Sequence, residues 1–308
     1  MKIVFMGTPE FAVTSLKALL EAGYQIVGVV TAPDSMGGRG GHQLIQSEVK
    51  KYALSQGLLI LQPVNLKSKA FLETLRSLKA DLQVVVAFRM LPEVVWNMPP
   101  LGTINVHGSL LPKYRGAAPI HWAVMQGEQE TGVTIFKLKQ EIDTGDIIAQ
   151  SKLSISPDET TGMVYGRLMQ LGAETLVTSV VMIENETFVP IKQNDEVAST
   201  APKLYHETCE IAFSKSMVQI HNFIRGLNPK PTAWMRYGGI KYFIHLSKTT
   251  TLTNQADKPI GALMIQENKL YLNLNDGMLQ ILEIQPEGKR KMTTPDFING
   301  VRNNPDFN

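Results

Sequence analysis

Residues 104–118 read Ile104-Asn105-Val106-His107-Gly108-Ser109-Leu110-Leu111-Pro112-Lys113-Tyr114-Arg115-Gly116-Ala117-Ala118. A short apolar segment ends here in an Asn and a His two positions apart. Alternate residues of a strand share a face, so Asn105 and His107 point the same way. Gly108 and Pro112 then mark a turn, followed by Lys113, Arg115 and small residues that let a ligand or another backbone approach closely. The pattern is that of a reaction site at a strand end.

Working outward, the first 190 residues alternate short β-branched runs with helical patterns. Segments 3–6, 26–31, 58–61, 82–87 and 103–107 read as strands, and their continuous apolar character suits a parallel sheet covered on both faces. Segments 11–22, 47–56 and 68–78 carry helical spacing of apolar residues, and a long amphipathic helix follows at 160–183. The fold class is α/β: a doubly wound, mostly parallel, Rossmann-like sheet domain over residues 1–189. In such sheets ligands bind beyond the carboxyl ends of the strands, where strand order reverses. Residues 190–206, with Pro190, Ser199, Thr200 and Pro202, read as a polar linker. Beyond it, 215–226 is helical and stops at Asn228-Pro229-Lys230-Pro231. Alternating segments at 240–246, 260–266, 270–273 and 279–284, with a turn at Asn275-Asp276-Gly277, then suggest a small barrel within residues 207–308.

Composition narrows the function classes. The chain has 308 residues, 44% hydrophobic and 19% charged, enough for a sizeable core. A single cysteine, Cys209, excludes an intrachain disulfide framework and a Cys-based zinc cluster. The apolar run after Met1 stops at Gly7, too short for a signal peptide, and no stretch approaches a membrane span. A cytoplasmic monomer without membrane contact is expected. Net charge is only +2, yet the part from residue 206 onward carries an excess of about three positive charges, which favours a polyanion partner.

Glu141-Ile142-Asp143-Thr144-Gly145-Asp146 forms an acidic turn after the strand-like 133–138, and supplies the carboxylate that the first cluster lacks. Taken singly, His107 capping a strand, Asn105 satisfying a turn and Asp143 making an Asx-turn are ordinary local features. Together, over nearly the whole chain, they resemble the folate-dependent formyltransferases, and among these the members whose acceptor is a charged tRNA. The resemblance implies an OB-like barrel at the C-terminus and Asn105, His107 and Asp143 as the catalytic trio. It further implies 10-formyltetrahydrofolate as co-substrate, met by Ser109, Leu110, Leu111 and Pro112 together with Phe88 and Arg89. Two departures stand out: Gly108 where an Ala is common, and Phe88-Arg89 where a Tyr-Gly pair is common.

The acceptor that the resemblance implies is methionyl initiator tRNA. Residues 33–41 form a flexible, glycine-rich insertion similar to the family's tRNA-entering loop, with Arg39 as its basic residue and Gly41-His42 replacing a usually basic pair. Lys203 in the linker and Lys289, Arg290 and Lys291 in the C-terminal part match further tRNA-facing positions. Gly7-Thr8-Pro9 has neither P-loop nor dinucleotide-fingerprint spacing, so no nucleotide cofactor is expected, and no metal. Formyl transfer to an amine is acyl transfer through an oxyanion. An amide such as that of Asn105 and a histidine N–H are suitable donors to it, while Asp143 orients or charges the imidazole or relays a proton. Neither a G-x-S-x-G elbow nor a well-placed cysteine suggests a covalent nucleophile. Two alternatives remain open: the same trio acting on a small-molecule amine or on water, and a non-catalytic scaffold whose barrel binds RNA.

Overall fold

The structure, a computed structural model, describes residues 1–37 and 42–301. Arg39 lies outside the described residues. The N-terminal half runs β1 (Lys2–Gly7), α1 (Glu10–Glu21), β2 (Gln25–Val30), β3 (Ser35–Gly37), β4 (Gln43–Ile45), α2 (Glu48–Ser55), β5 (Ile60–Leu61), α3 (Lys69–Ser77), β6 (Leu82–Val86), α4 (Glu93–Trp96) and β7 (Thr103–His107). α5 (Pro119–Met125), β8 (Glu130–Lys137), β9 (Ile147–Ser154) and α6 (Thr161–Glu184) follow.

Seven strands form one sheet in the order β5-β2-β1-β6-β7-β8-β9. β5, β2, β1, β6 and β7 run parallel, and β8 is antiparallel to β7. Strand order therefore reverses between β1 and β6, and the carboxyl ends of β1, β6 and β7 open onto the same edge. Ile3, Val4, Phe5 and Met6 of β1 are fully buried, as a central parallel strand requires. Each such side chain contributes about 1.5–3 kcal/mol of hydrophobic stabilisation. Gly7 ends β1 where a Cβ would lie 2.5 Å from that of Ala12, so α1 can pack close to the strand end. Ser47 caps α2, its Oγ accepting from the Lys50 N–H at 3.0 Å, a contact worth about 1 kcal/mol.

The chain divides into two compact units. The first comprises Met1–Gly116, Thr131–Leu153 and Tyr165–Thr200; the second comprises Ala117–Glu130, Ser154–Val164 and Ala201–Asn308. In the second, α7 (Met217–Gly226) opens on a capping box between Ser216 and Gln219. It is followed by β10 (Ala233–Tyr237), β11 (Ile240–Lys248), β12 (Leu263–Gln266), β13 (Lys269–Leu274), β14 (Gly277–Pro286), β15 (Met292–Thr293) and α8 (Thr294–Val301). These strands form an antiparallel sheet in the order β10-β11-β14-β13-β12, with β15 on β14. Its core holds Ile220 and Ile224 of α7 against Ile244, Leu272, Leu279, Ile281 and Phe297. The fold class read from the sequence, a parallel sheet domain followed by an antiparallel β domain, is the one observed.

Several details differ from the sequence reading. The strand expected at 58–61 shortens to two residues, and α4, α5, β9, β10 and α8 were not anticipated. The 33–41 insertion contributes β3, which pairs antiparallel with β4. Residues 190–200, read as linker, are fastened to the first unit: Ile191 bridges Ile147, and Thr200 bridges Arg115.

Candidate active site

Asn105 and His107 lie on the last turn of the β7 pleat, opposite Phe136 and Thr134 of β8. The Asn105 side chain is half-buried and makes no hydrogen bond among the described residues, which leaves its amide available at the sheet edge. His107 is 6% exposed and edge-on to the Phe136 ring. Its Nε2 is 2.9 Å from the carbonyl oxygen of Tyr114. A carbonyl only accepts, so Nε2 carries the proton and Nδ1 is the nitrogen left for chemistry. Nδ1 faces Asp143 Oδ2 at 3.6 Å, an electrostatic separation longer than a hydrogen bond. Burial pushes the imidazole pKa below its usual 6.5, opposed by the Asp143 charge and by the Tyr114 carbonyl. The resting ring is therefore neutral near pH 7.

Two left-handed residues frame this pair. Tyr114 has φ +63° and Asp143 has φ +54°, conformations that non-glycine residues adopt at a cost of about 1–3 kcal/mol. Each is held by bonds that overdetermine it. The Tyr114 N–H donates to Ser199 Oγ at 2.9 Å, while the Gly116 N–H donates to Asp143 Oδ2 at 2.8 Å. Gly145 is required beside Asp143, because a Cβ there would sit 1.5 Å from the Lys137 carbonyl oxygen.

The Ser109–Pro112 loop is pinned by residues from the neighbouring strands. Thr134 Oγ1 donates to the Ser109 carbonyl at 2.7 Å and accepts from the Leu111 N–H at 3.0 Å. Gln150 Nε2 donates to both the Leu111 carbonyl and Thr134 Oγ1. Ser109 Oγ donates to the Lys113 carbonyl, and the Ser199 N–H to that of Pro112. Leu111 is buried with Phe136 and Ile147, and its peptide bond to Pro112 is cis. Each carbonyl keeps a second lone pair, so the loop is shaped in advance and still able to accept from a ligand. Phe88 is half-buried against the apolar cluster that includes Met6, Val30 and Val85. The Arg89 guanidinium lies over the Phe88 ring, 5.6 Å from its centroid, and donates to the carbonyls of Pro63 and Val64.

Two family profiles match, formyl transferase over residues 1–180 and formyl transferase C-terminal domain over residues 203–302. The chain belongs to the formyl transferase family. Among curated relatives of this formyl transferase, the methionyl-tRNA formyltransferase of Bacteroides thetaiotaomicron is 44% identical, covering 98% of this chain and 96% of its own. The methionyl-tRNA formyltransferase of Phocaeicola vulgatus is 47% identical with the same coverages. Solved structures share the fold. A sugar 3N-formyl transferase, WlaRD, superposes with a TM-score of 0.69 at 22% identity, covering 94% of this chain and 99% of its own. The N-formyltransferase from Helicobacter canadensis gives 0.69 at 23%, covering 95% and 100%.

The first unit of this formyl transferase thus brings Asn105, His107 and Asp143 to one edge, with the Ser109–Pro112 loop beside them. In the second unit Lys203 stands over the Tyr205 ring, 5.5 Å from its centroid, Lys289 and Arg290 are exposed, and Lys291 pairs with Glu283 at 2.7 Å. No helix among the described residues is long and apolar enough to cross a membrane. Sequence reasoning missed Thr134, Gln150 and Gln193, which support the site from β8, β9 and the 190–200 segment. Only Thr134 left a signal, as a polar residue inside an otherwise apolar strand, where it faces His107 across the antiparallel pair.

Proposed function

We propose that this chain transfers a formyl group from 10-formyltetrahydrofolate to the α-amino group of methionine carried on initiator tRNA, as a cytoplasmic monomer. The observation that carries the reading is the geometry of His107, anchored at Nε2 by the Tyr114 carbonyl with Nδ1 turned to Asp143 and the Asn105 amide on the same strand face. Residues 1–189 hold the catalytic site, 190–206 the linker, and 207–308 the tRNA-binding part.

In formyl transfer the neutral amine attacks the formyl carbon, a C–N bond forms, and the carbonyl oxygen gains negative charge. The Asn105 amide donates to that oxyanion. As the attacking nitrogen becomes cationic, Nδ1 of His107 takes its proton, and Asp143 at 3.6 Å stabilises the imidazolium. The proton then passes to the folate nitrogen as its bond to the formyl carbon breaks. No covalent enzyme intermediate is needed, since an α-amino group with a pKa near 8 is already partly neutral at pH 7. Ser109, Leu110, Leu111 and Pro112, with Phe88 and Arg89, hold the folate. Arg39, Lys203, Lys289, Arg290 and Lys291 meet tRNA phosphates.

The test is formyl transfer from 10-formyltetrahydrofolate to methionine-charged initiator tRNA, run beside elongator methionyl-tRNA and acceptor-free reactions. Strong preference for the initiator is expected. Formate release without acceptor would instead indicate a hydrolase, and salt-sensitive tRNA binding without turnover would indicate a scaffold.

A further inference from the structure

Behind Asp143 lies a group that the mechanism above does not use. Gln193 is 7% exposed, and all four hydrogen-bonding sites of its amide are occupied. Nε2 donates to the carbonyl oxygens of Asp143 at 2.9 Å and Gly145 at 2.8 Å. Oε1 accepts from Arg115 Nε at 3.1 Å and Nη2 at 2.8 Å, and the same Nη2 reaches Asp195 Oδ1 at 2.7 Å. One side chain thereby joins the acidic turn to the loop that follows His107. Arg115 directly precedes Gly116, whose N–H holds the Asp143 carboxylate, and directly follows Tyr114, whose carbonyl holds His107.

The turn is tied elsewhere by Thr144 Oγ1 donating to the Glu141 carbonyl and by the Lys137 N–H donating to the Asp146 carbonyl, but neither bond uses the carbonyls that flank Thr144. Asp143 is left-handed, a backbone conformation that a non-glycine residue keeps only where its surroundings hold it. The Gln193 amide bridges the carbonyls on either side of Thr144, which is the segment whose rotation would swing the carboxylate away from Nδ1. A buried amide that makes four charge-assisted or backbone bonds, with no contact to the reacting atoms, is arranged for positioning.

We infer that Gln193 is a positioning residue for formyl transfer, clamping the backbone on both sides of Thr144 so that the Asp143 carboxylate stays opposed to His107 Nδ1. The inference rests on the roles proposed above for His107 and Asp143. Displacing a reacting group by about 1 Å costs on the order of 100-fold in rate, so loss of the clamp is expected to act on kcat.

The experiment is a double-mutant cycle in the full chain, assayed with 10-formyltetrahydrofolate and methionyl initiator tRNA. Gln193→Met keeps the side chain's length and removes its four bonds. It should lower kcat on the order of 10- to 100-fold while leaving the KM of each substrate within about threefold. In the background of Asp143→Asn, where the carboxylate charge is already gone, the same change should cost less than about threefold further. Gln193→Glu, which keeps the Arg115 contact but turns an acceptor toward two carbonyls, should repeat this pattern and carries the test if the Met variant does not fold. Equal losses in both backgrounds, or a rise in KM without a fall in kcat, would overturn the positioning role while leaving Asp143 intact. Full activity in Asp143→Asn alone would overturn it differently, by removing the catalytic role on which it stands.

Discussion

At the level of single residues, the hydrogen bond from His107 Nε2 to the Tyr114 carbonyl decides which nitrogen faces the reaction. In the proposed mechanism it leaves Nδ1 as the base and makes the neutral ring the active form. Burial lowers the pKa of this imidazole, and activity should therefore persist below pH 6.5 and then fall on an acid limb. Asp143 is the charge that raises that pKa, so in Asp143→Asn the residual kcat/KM should show its acid limb at still lower pH. A limb that moved upward, or one unchanged by the substitution, would rule out the pairing. Asn105→Ala removes the proposed oxyanion donor and should cost about 3 kcal/mol of barrier, read as a 100- to 1,000-fold loss of kcat with little change in folate binding. The shared face of Asn105 and His107 was legible from strand alternation alone. Asp143 was legible as part of an acidic turn after a strand, and the family resemblance singled it out within that turn, because nothing local says that residue 143 returns to residue 107. The anchoring carbonyl of Tyr114 left no trace at all, since a left-handed backbone at a tyrosine has no side-chain signature.

At the level of elements, the antiparallel β7–β8 pair and the loop after His107 are joined by Thr134. Its hydroxyl serves the Ser109 carbonyl, the Leu111 N–H and Gln150 at once, fully buried. Thr134→Val keeps the shape and strands those groups, so it should destabilise the first unit by about 2–5 kcal/mol. It should also raise the KM for 10-formyltetrahydrofolate more than the KM for tRNA, because the loop it releases is the one proposed to hold the folate. Equal effects on both KM values would argue against that division. The same element shows why parts of the fold escaped the sequence. β1, β2 and β6 are almost wholly buried and read as nearly continuous apolar runs, and β7 is buried except at the half-buried Asn105. β9 is buried only at Ile147 and Ile148, and its outer half alternates intermediate with exposed residues, including Lys152 and Gln150. α5 is hidden by the Gly-Ala-Ala-Pro run before it, although Pro119 at its first turn suits a helix start. β10 follows a proline cluster that looks like the end of structure, yet Ala233, Trp234 and Met235 are all buried.

At the level of the whole molecule, electrostatics offer a test of the division proposed between the two units. If Lys289 and Arg290 contact phosphates, replacing both with Ala should lower the slope of log affinity against log salt by about 1–2, with the initiator preference retained. Lys291→Ala should change the slope less, because its ammonium is already committed to Glu283. Acid stability offers an independent reading of the same division. Of the chain's six histidines, burial holds four below the usual value of 6.5: His107 in the first unit, and His121, His221 and His245 in the second. For each, the folded state resists protonation and the unfolded state does not, so unfolding takes up a proton once the pH falls below about 6.5. The stability they confer is thus complete above that pH and is lost as the pH drops toward the folded values. One proton per group amounts to at most about 1.4 kcal/mol per pH unit. Three such groups against one make the second unit the more acid-sensitive. Between pH 6.5 and 5.5 most carboxylates remain ionised whether folded or not, which isolates the histidine contribution. Native-state hydrogen exchange, following amides of β1 and β6 beside those of β13 and β14, reports each unit separately. A steeper loss of protection in β13 and β14 is expected. Parallel slopes in the two sheets would mean that the buried imidazoles do not govern acid unfolding.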